Sequence, residues 1–406
     1  MRLEPLDEVQ IESIVSKAIE DAQDFIDSEV APQRIKAQRY FDGEVDIGYE
    51  EGRSRVVATK CREVVRGMKP SIQRIFLSNE KPVEFVPRGP EDVAMAEQAT
   101  QFISYKFQQH NGYRILSDVF QDAMVKKAGI AYVYHKEEME TEIHTFTNLT
   151  EEAFALLVED DDVEVIEHEA RMTISMDEMG MEVEMPEHDV KIARSIPHGD
   201  VCIESIPPED FFVDRNARSM DSYYIVGHST EMTVGELLSM GFSLDDLAGL
   251  DGSEYSTTQD EAEFERRGYT VDEADDENIS GASKKITVTS AYMELDIEGT
   301  GQTKLYQFLC AGTSYKLLNF YEADYAPYAI FECDPEPHAF FGTSLVDLVM
   351  DDQDAATAML RGVLDNVALT NNPALQVVEG QAATDDLLNN EIGRIVRVKS
   401  PSAVTE

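Results

Sequence analysis

Carboxylates are the groups this chain is best supplied with for chemistry. It has 80 Asp and Glu against 34 Lys and Arg, with eight His and four Cys in 406 residues. At that density acids meet by chance, so no spacing singles out a general acid and its base. The run Glu159-Asp160-Asp161-Asp162 has the charge of a metal loop but reads more simply as a solvated strand edge. His198-Gly199-Asp200 would bring two ligands together, and a turn explains it equally well. The histidines do not cluster, and neither His-Glu-x-x-His nor Gly-x-Ser-x-Gly occurs. Gly299 to Lys304 reads GTGQTK, but it lacks phosphate-loop spacing and falls between two strand patterns, where a hairpin turn is expected. Cys61, Cys202, Cys310 and Cys333 form no Cys-x-x-Cys pair and suit neither a disulfide framework nor a zinc site. The residues therefore predict no enzyme, no cofactor and no resident metal.

A formal net charge of −46 keeps a protein soluble and repels phosphate, which argues against tight wrapping of nucleic acid. The basic clusters are short: Arg53-x-Arg55, Lys60-x-Arg62, Arg66-x-x-Lys69 and Lys126-Lys127. On a helix Arg62, Arg66 and Lys69 share a face. That face could meet phosphate, but pairing with Asp and Glu, including those of an adjacent subunit, is the simpler reading. Arg394, Arg397 and Lys399 alternate along an expected strand, which suits a partner protein or passing DNA. The start of the chain is charged, and no run of roughly 18 apolar residues occurs. No signal peptide, no membrane span and assembly in the cytosol are expected.

The length predicts two or three structural units, and 42% hydrophobic residues suffice for a core. Helical spacing of Ile11, Ile14, Val15, Ala18, Ile19 and Ala22 predicts a helix over 6–41, with Pro32 interrupting it or starting a second one, and a loop at Phe41 to Glu44. A second amphipathic stretch runs over 54–76 and is split at Pro70. Helices follow over 90–110 and 113–128, the last ended by Gly129. Residues 130–135 read as a strand, and 136–235 as short β-like runs of alternating acidic and apolar residues. A helix over 231–249 is broken at Gly241, and the polar stretch 250–281 reads as a mobile loop. Strands at 285–296 and 303–311 form a hairpin. Beyond the long helix described next come a strand at 374–379, a turn at Gly380, a small helix at 383–389 and a strand at 394–399.

The strongest signal is an uninterrupted helix over 344–370. Leu345, Leu348, Val349, Ala355, Ala356, Met359, Leu360, Val363, Leu364 and Val367 keep helical spacing, with no Pro among them. Thr343 or Ser344 is its N-cap, and Asn372-Pro373 stops it. Such a helix is about 40 Å long, the dimension of a strut.

Four stretches, in this order, resemble the portal proteins of short-tailed and related double-stranded DNA phages. They are Ser54 to Val65 leading to Lys69-Pro70-Ser71-Ile72 and Arg74-Ile75-Phe76; Ile206 to Val213 followed by Asp221 to His228; Phe341 to Ser344 running into Gln353 to Asn366; and Asn372 to Val377 with Gly393 to Val398. The resemblance implies an α+β, ring-forming chain. Residues 1–340 would be the wing, helical over 1–129 and β-rich over 130–340; 343–371 the stem helix; and 372–406 the clip. Family members continue into a returning stem helix, more wing, a tunnel loop and a crown, and this chain ends before them. Asp347, Asp351, Asp352, Asp354, Arg361 and Asp365 become candidates for the stem and channel. Leu348, Val349, Met359, Leu360, Val363, Leu364 and Val367 become stem packing, and Arg394, Arg397 and Lys399 clip contacts. The implied role is a ring of roughly twelve copies at a capsid vertex of the virion. The implied partners are capsid protein, the terminase large subunit, head–tail adaptors and double-stranded DNA in transit, with no membrane, and assembly is in the host cytoplasm. A head–tail adaptor or baseplate-like component is the alternative, and a carboxylate-dependent hydrolase a more distant one.

Overall fold

A computed structural model of the chain describes residues 5–45, 48, 53–78, 83–158, 162–176, 182–247, 250, 257–267, 281–371, 376–377, 397–400 and 404–405. It is a mixed α+β fold. Helix α1 (Glu8–Phe25) opens with a capping box between Asp7 and Gln10 and buries Ile11, Val15, Ile19 and Ala22. A π-helical turn over Ile26–Val30 joins it to α2 (Ala31–Asp42). The helical stretch expected over 6–41 is therefore two helices, and Pro32 starts the second, one of the two outcomes expected for it. Pro32 sits in the first turn of α2, where it sacrifices no hydrogen bond, and Gly43 closes α2 with φ +76°. Phe41 and Asp42, expected in a loop, belong to α2.

Helix α3 (Lys60–Leu77) runs through Pro70 without a break, contrary to the expected split. Pro70 lies on the exposed face, where water can take the freed carbonyls, while Cys61 and Val65 anchor the helix before it and Gln73 after it. Residues 54–59, also expected to be helical, form no helix. Helices α4 (Val93–Gln109) and α5 (Gly112–Lys126) follow, and α5 leads at once into the first strand.

The short β-runs expected over 136–235 are long strands instead. β1 (Ala128–Thr150), β2 (Val163–Met176) and β3 (Glu182–Ile206) form an antiparallel sheet in the order β2-β3-β1-β9, with α6 (Glu151–Val158) between β1 and β2 and β9 at Tyr328–Glu332. β9 pairs only with Ala128 to Tyr132, so the rest of the sheet is a long arm in which β3 pairs first with β1 and then with β2, the three side by side only over Glu187–Arg194. Pro186 and Pro197 fit in β3 because β1 has ended at Thr150 opposite Glu187, and β2 begins at Val163 opposite Arg194. Each proline thus needs a partner on one side only.

The second sheet is a meander of β4 (Phe211–Val213), β5 (Ile225–Thr233), β6 (Lys285–Leu295), β7 (Lys304–Ala311) and β8 (Lys316–Glu322). The hairpin expected at 285–311 is β6–β7; β8 and β9 carried no expectation. The stripe of α1 packs on this sheet against Phe212, Ile225, Met293 and Phe308. A second core joins α2, α3 and α5 to the long helix through Tyr40, Phe41, Cys61, Val65, Phe120, Met124, Val346 and Met350. A third sits between the sheets around Ile130, Phe211, Tyr292 and Tyr328. The helix expected over 231–249 is two short ones, α7 (Val234–Ser239) and α8 (Leu244–Leu247), parted at Gly241.

Within 250–281, expected to be a mobile loop, α9 (Thr257–Arg267) is docked. Its attachment is ionic. Arg266 grips Glu209 through two bonds of 2.6 and 2.9 Å and reaches Asp122 at 3.4 Å, and Arg39 holds Glu261 and Glu265 at 2.7 Å each. Lys126 and Arg34 complete a buried cluster joining α2, α5, α9 and the β3–β4 bend. Burial alone would push the Glu209 carboxyl up; Lys126 and Arg266 outweigh it and hold it below the usual range. At its neighbour Asp210, burial and the adjacent Glu209 charge outweigh the pull of Arg266 and push the carboxyl up to about 8.

Candidate functional site: an anchored helix with a free half

Helix α10 (Leu345–Asn371) matches the expected long helix to within one residue at each end. Its start is fixed tightly. The Thr343 amide donates to Asp334 O at 2.9 Å, and a Cβ on Gly342 would stand 2.2 Å from that same oxygen. Only glycine tolerates this approach. Ser344 is the N-cap: its hydroxyl accepts from the Asp347 amide at 3.0 Å while Asp347 accepts from the Ser344 amide at 3.1 Å. Asp347 also lies 3.6 Å from Lys127.

Along the first half, Val346, Met350, Gln353 and Thr357 are buried at spacings of four, three and four, one helical stripe. Two of the four are polar, and each does a backbone task. Gln353 accepts from the Cys61 amide at 2.9 Å and donates to Tyr40 O at 2.9 Å. The Cys61 amide is one of the donors left orphaned at the start of α3, whose N-cap residue Thr59 makes no side-chain bond. Gln353 therefore caps α3 from a distant part of the chain. Thr357 accepts from the Ala58 amide at 3.1 Å. The Tyr40 hydroxyl donates to Asp354 at 2.9 Å, and burial together with that carboxylate pushes its pKa up to about 12.

The segment before α3 then runs antiparallel along α10. Ser54 N donates to Asp365 at 2.8 Å, Arg361 donates to Val56 O at 2.9 Å, and Ala58 meets Thr357. The register works because four helical residues rise about 6.0 Å while two extended residues rise about 6.6 Å. Arg361 adds longer bonds of 3.4 Å to Gly48 O and Arg55 O, and Arg53 lies 3.8 Å from Asp365.

Beyond Thr357 no residue of α10 is buried. Met359 is 72% exposed, Val363 60%, Val367 50% and Leu369 63%. Of the expected packing residues, only Val349 is half-buried; Leu348, Met359, Leu360, Val363, Leu364 and Val367 are open to solvent. The six charged candidates divide. Asp347, Asp354, Arg361 and Asp365 hold α10 to its own chain, whereas Asp351 and Asp352 are exposed on its outer face. Arg394, the helix expected at 383–389 and the turn at Gly380 lie outside the described residues. Arg397 and Lys399 are exposed, and of the strand expected at 374–379 the pair β10 (Gln376–Val377) with β11 (Val404–Thr405) is described.

The basic face expected from Arg62, Arg66 and Lys69 is not shared: Arg62 turns inward to Phe41 O and Asp42, Lys69 reaches Gln121, and Arg66 points outward. Sequence reasoning missed the backbone-binding roles of Gln353, Thr357 and Arg361. A polar pair inside an apolar helical stripe was the signal available. Among the described residues no group of three or more His, Cys, Asp or Glu could hold a metal ion, and no helix is long and apolar enough to cross a membrane. Compared with known proteins, residues 11–406 match the family model described as phage SU10 portal protein. No curated protein matches the chain.

Proposed function

The chain belongs to the phage SU10 portal protein family, a structural family of the bacteriophage virion, and from that premise we propose that it is the subunit of a ring channel at one capsid vertex. In this reading α10 is the stem, the α+β body before it the wing, and residues 372–406 the clip. The ring admits double-stranded DNA during packaging and releases it at ejection. It sits among capsid protein, receives the terminase large subunit and later the head–tail adaptors, and assembles in the host cytoplasm. ATP hydrolysis belongs to the motor.

The observation that supports this best is the division of α10. Its first half is sealed into the body by apolar contacts and by bonds to backbone, while its second half carries Met359, Leu360, Val363, Leu364 and Val367 in the open. Apolar side chains held in water on the outer surface of a helix contribute nothing to an isolated subunit. Set beside copies of itself, those residues leave water at about 1.5–3 kcal/mol for each side chain fully buried. Leu360→Asp in the full-length protein leaves the subunit folded, because Leu360 is already 37% exposed, and blocks ring assembly. Mass photometry of wild type and variant reads this directly: rings formed by L360D in normal yield would refute the role given to the free half.

A further inference from the structure

Two outer helix faces of opposite charge lie on the same layer. α10 buries Val346, Met350, Gln353 and Thr357 toward α2, α3 and α5, and so turns Leu348, Asp351, Asp352, Ala355 and Met359 outward. α3 buries Cys61 and Val65 toward that same core, and turns Arg66, Gly67, Pro70, Ser71 and Arg74 outward. The two helices bury their inner sides in one shared core, where Gln353 of α10 accepts from the Cys61 amide of α3, and among the described residues no bond joins Arg66 or Arg74 to Asp351 or Asp352. The two outer faces do not meet within this subunit.

The charges on these faces are unspent. Neither Arg66 nor Arg74, and neither Asp351 nor Asp352, makes an ion pair among the described residues, although the chain carries 80 acids to engage 34 bases. Glu63, the one acid on the outer face of α3, is held by Lys60 at 2.7 Å. The shapes suit as well. A Cβ at Gly67 would meet nothing within 4 Å, so between the arginines α3 offers a shallow groove, and α10 offers the ridge of Leu348, Ala355 and Met359 between its two acids.

We propose that the outer face of α3, through Arg66 and Arg74, docks on the outer face of α10 of a second copy, at Asp351 and Asp352. A patch meeting a different patch on the next copy is a heterologous contact, the kind that closes into rings. The proposal rests on the ring reading above and names the contact that propagates it. It also assigns Asp351 and Asp352 to a neighbouring subunit rather than to a wall facing DNA.

The test is a charge swap in the full-length protein. Arg66→Glu with Arg74→Glu, and separately Asp351→Lys with Asp352→Lys, weaken association about tenfold or more for each reversed pair and shift mass-photometry counts from rings to monomers. The variant carrying all four substitutions recovers rings. Circular dichroism melts check that each variant folds. As a second reading independent of charge, Arg74→Cys combined with Asp351→Cys gives an oxidation-dependent ladder of cross-linked subunits. The inference is overturned if both double variants form rings as wild type does, or if the swap restores nothing and no ladder appears. It is equally overturned if the lysine variant assembles normally and only DNA passage slows, which would put the acids in the tunnel, or if the arginine variant assembles normally and only DNA contact is lost. Wild-type protein that forms no ring at all sinks the ring reading itself, and this contact with it.

Discussion

Replacing Gln353 by Leu keeps the bulk of the side chain and deletes both of its hydrogen bonds. Gln353 is wholly buried, and its two partners are backbone groups: the Cys61 amide and the Tyr40 carbonyl, each 2.9 Å away. Cys61 is itself 1% exposed, so water does not readily replace the lost acceptor. An orphaned buried donor or acceptor costs about 1–3 kcal/mol, and the two together roughly 2–6 kcal/mol. Relief from burying the amide offsets part of this, leaving an expected loss of about 2–4 kcal/mol. Urea unfolding of the Q353L subunit measures it, and hydrogen exchange at the Cys61 amide localises it, with exchange faster by about tenfold or more. Leu348→Ala, on the outer face of the same helix, is the control and changes stability by less than about 0.5 kcal/mol. If Q353L costs no more than L348A, the claim that α10 is locked to the body by side-chain bonds to backbone is wrong.

Two further outcomes test the charge cluster beneath α9. Asp210 carries a folded-state pKa of about 8, above its ordinary 3.8, so the folded chain holds a proton that the unfolded chain releases between those values. Its contribution is full below that range and is lost as pH rises to about 8; Asp210→Asn flattens the decline and stabilises the chain at pH 8.5 by about 2 kcal/mol, as read from melts at pH 5 and 8.5. Arg266→Gln leaves Glu209 and Asp122 without their guanidinium partner and costs about 3 kcal/mol. Proteolysis should then cut within Thr257–Arg267 faster than in wild type, and an unchanged cleavage rate would show that α9 is held by something else.

α10 was legible because its apolar residues keep one helical period without a proline, and period is what a sequence displays best. The same logic misread Pro70: it breaks a helix only where the freed carbonyl is denied water, and Pro70 faces solvent. α9 was invisible to hydrophobic patterning, since Ala262 is its one buried apolar residue among those described and ion pairs dock it. The arm formed by β1, β2 and β3 was underestimated because acidic–apolar alternation marks the type of an element but not its end, and the pairing that extends it joins residues such as Phe146 and Val190. In the candidate site, the acids were legible as a set but their directions were not. Asp354 and Asp365 spend themselves on Tyr40 and Ser54, partners that only the fold brings near, while Asp347 turns back on Ser344 three residues away. Gln353 and Thr357 were passed over, and Arg361 was singled out only for its charge, because the groups they bind are amides and carbonyls, which every residue carries.

The most direct measurement is cryo-electron microscopy of the full-length protein, with one question put to the map: where does α10 lie? The account predicts a closed ring with a central opening, α10 from each subunit standing around it, and Val363 and Val367 covered by a neighbouring chain. A ring whose opening is lined by other elements, or a folded monomer in which Val363 and Val367 stay in water, would contradict it.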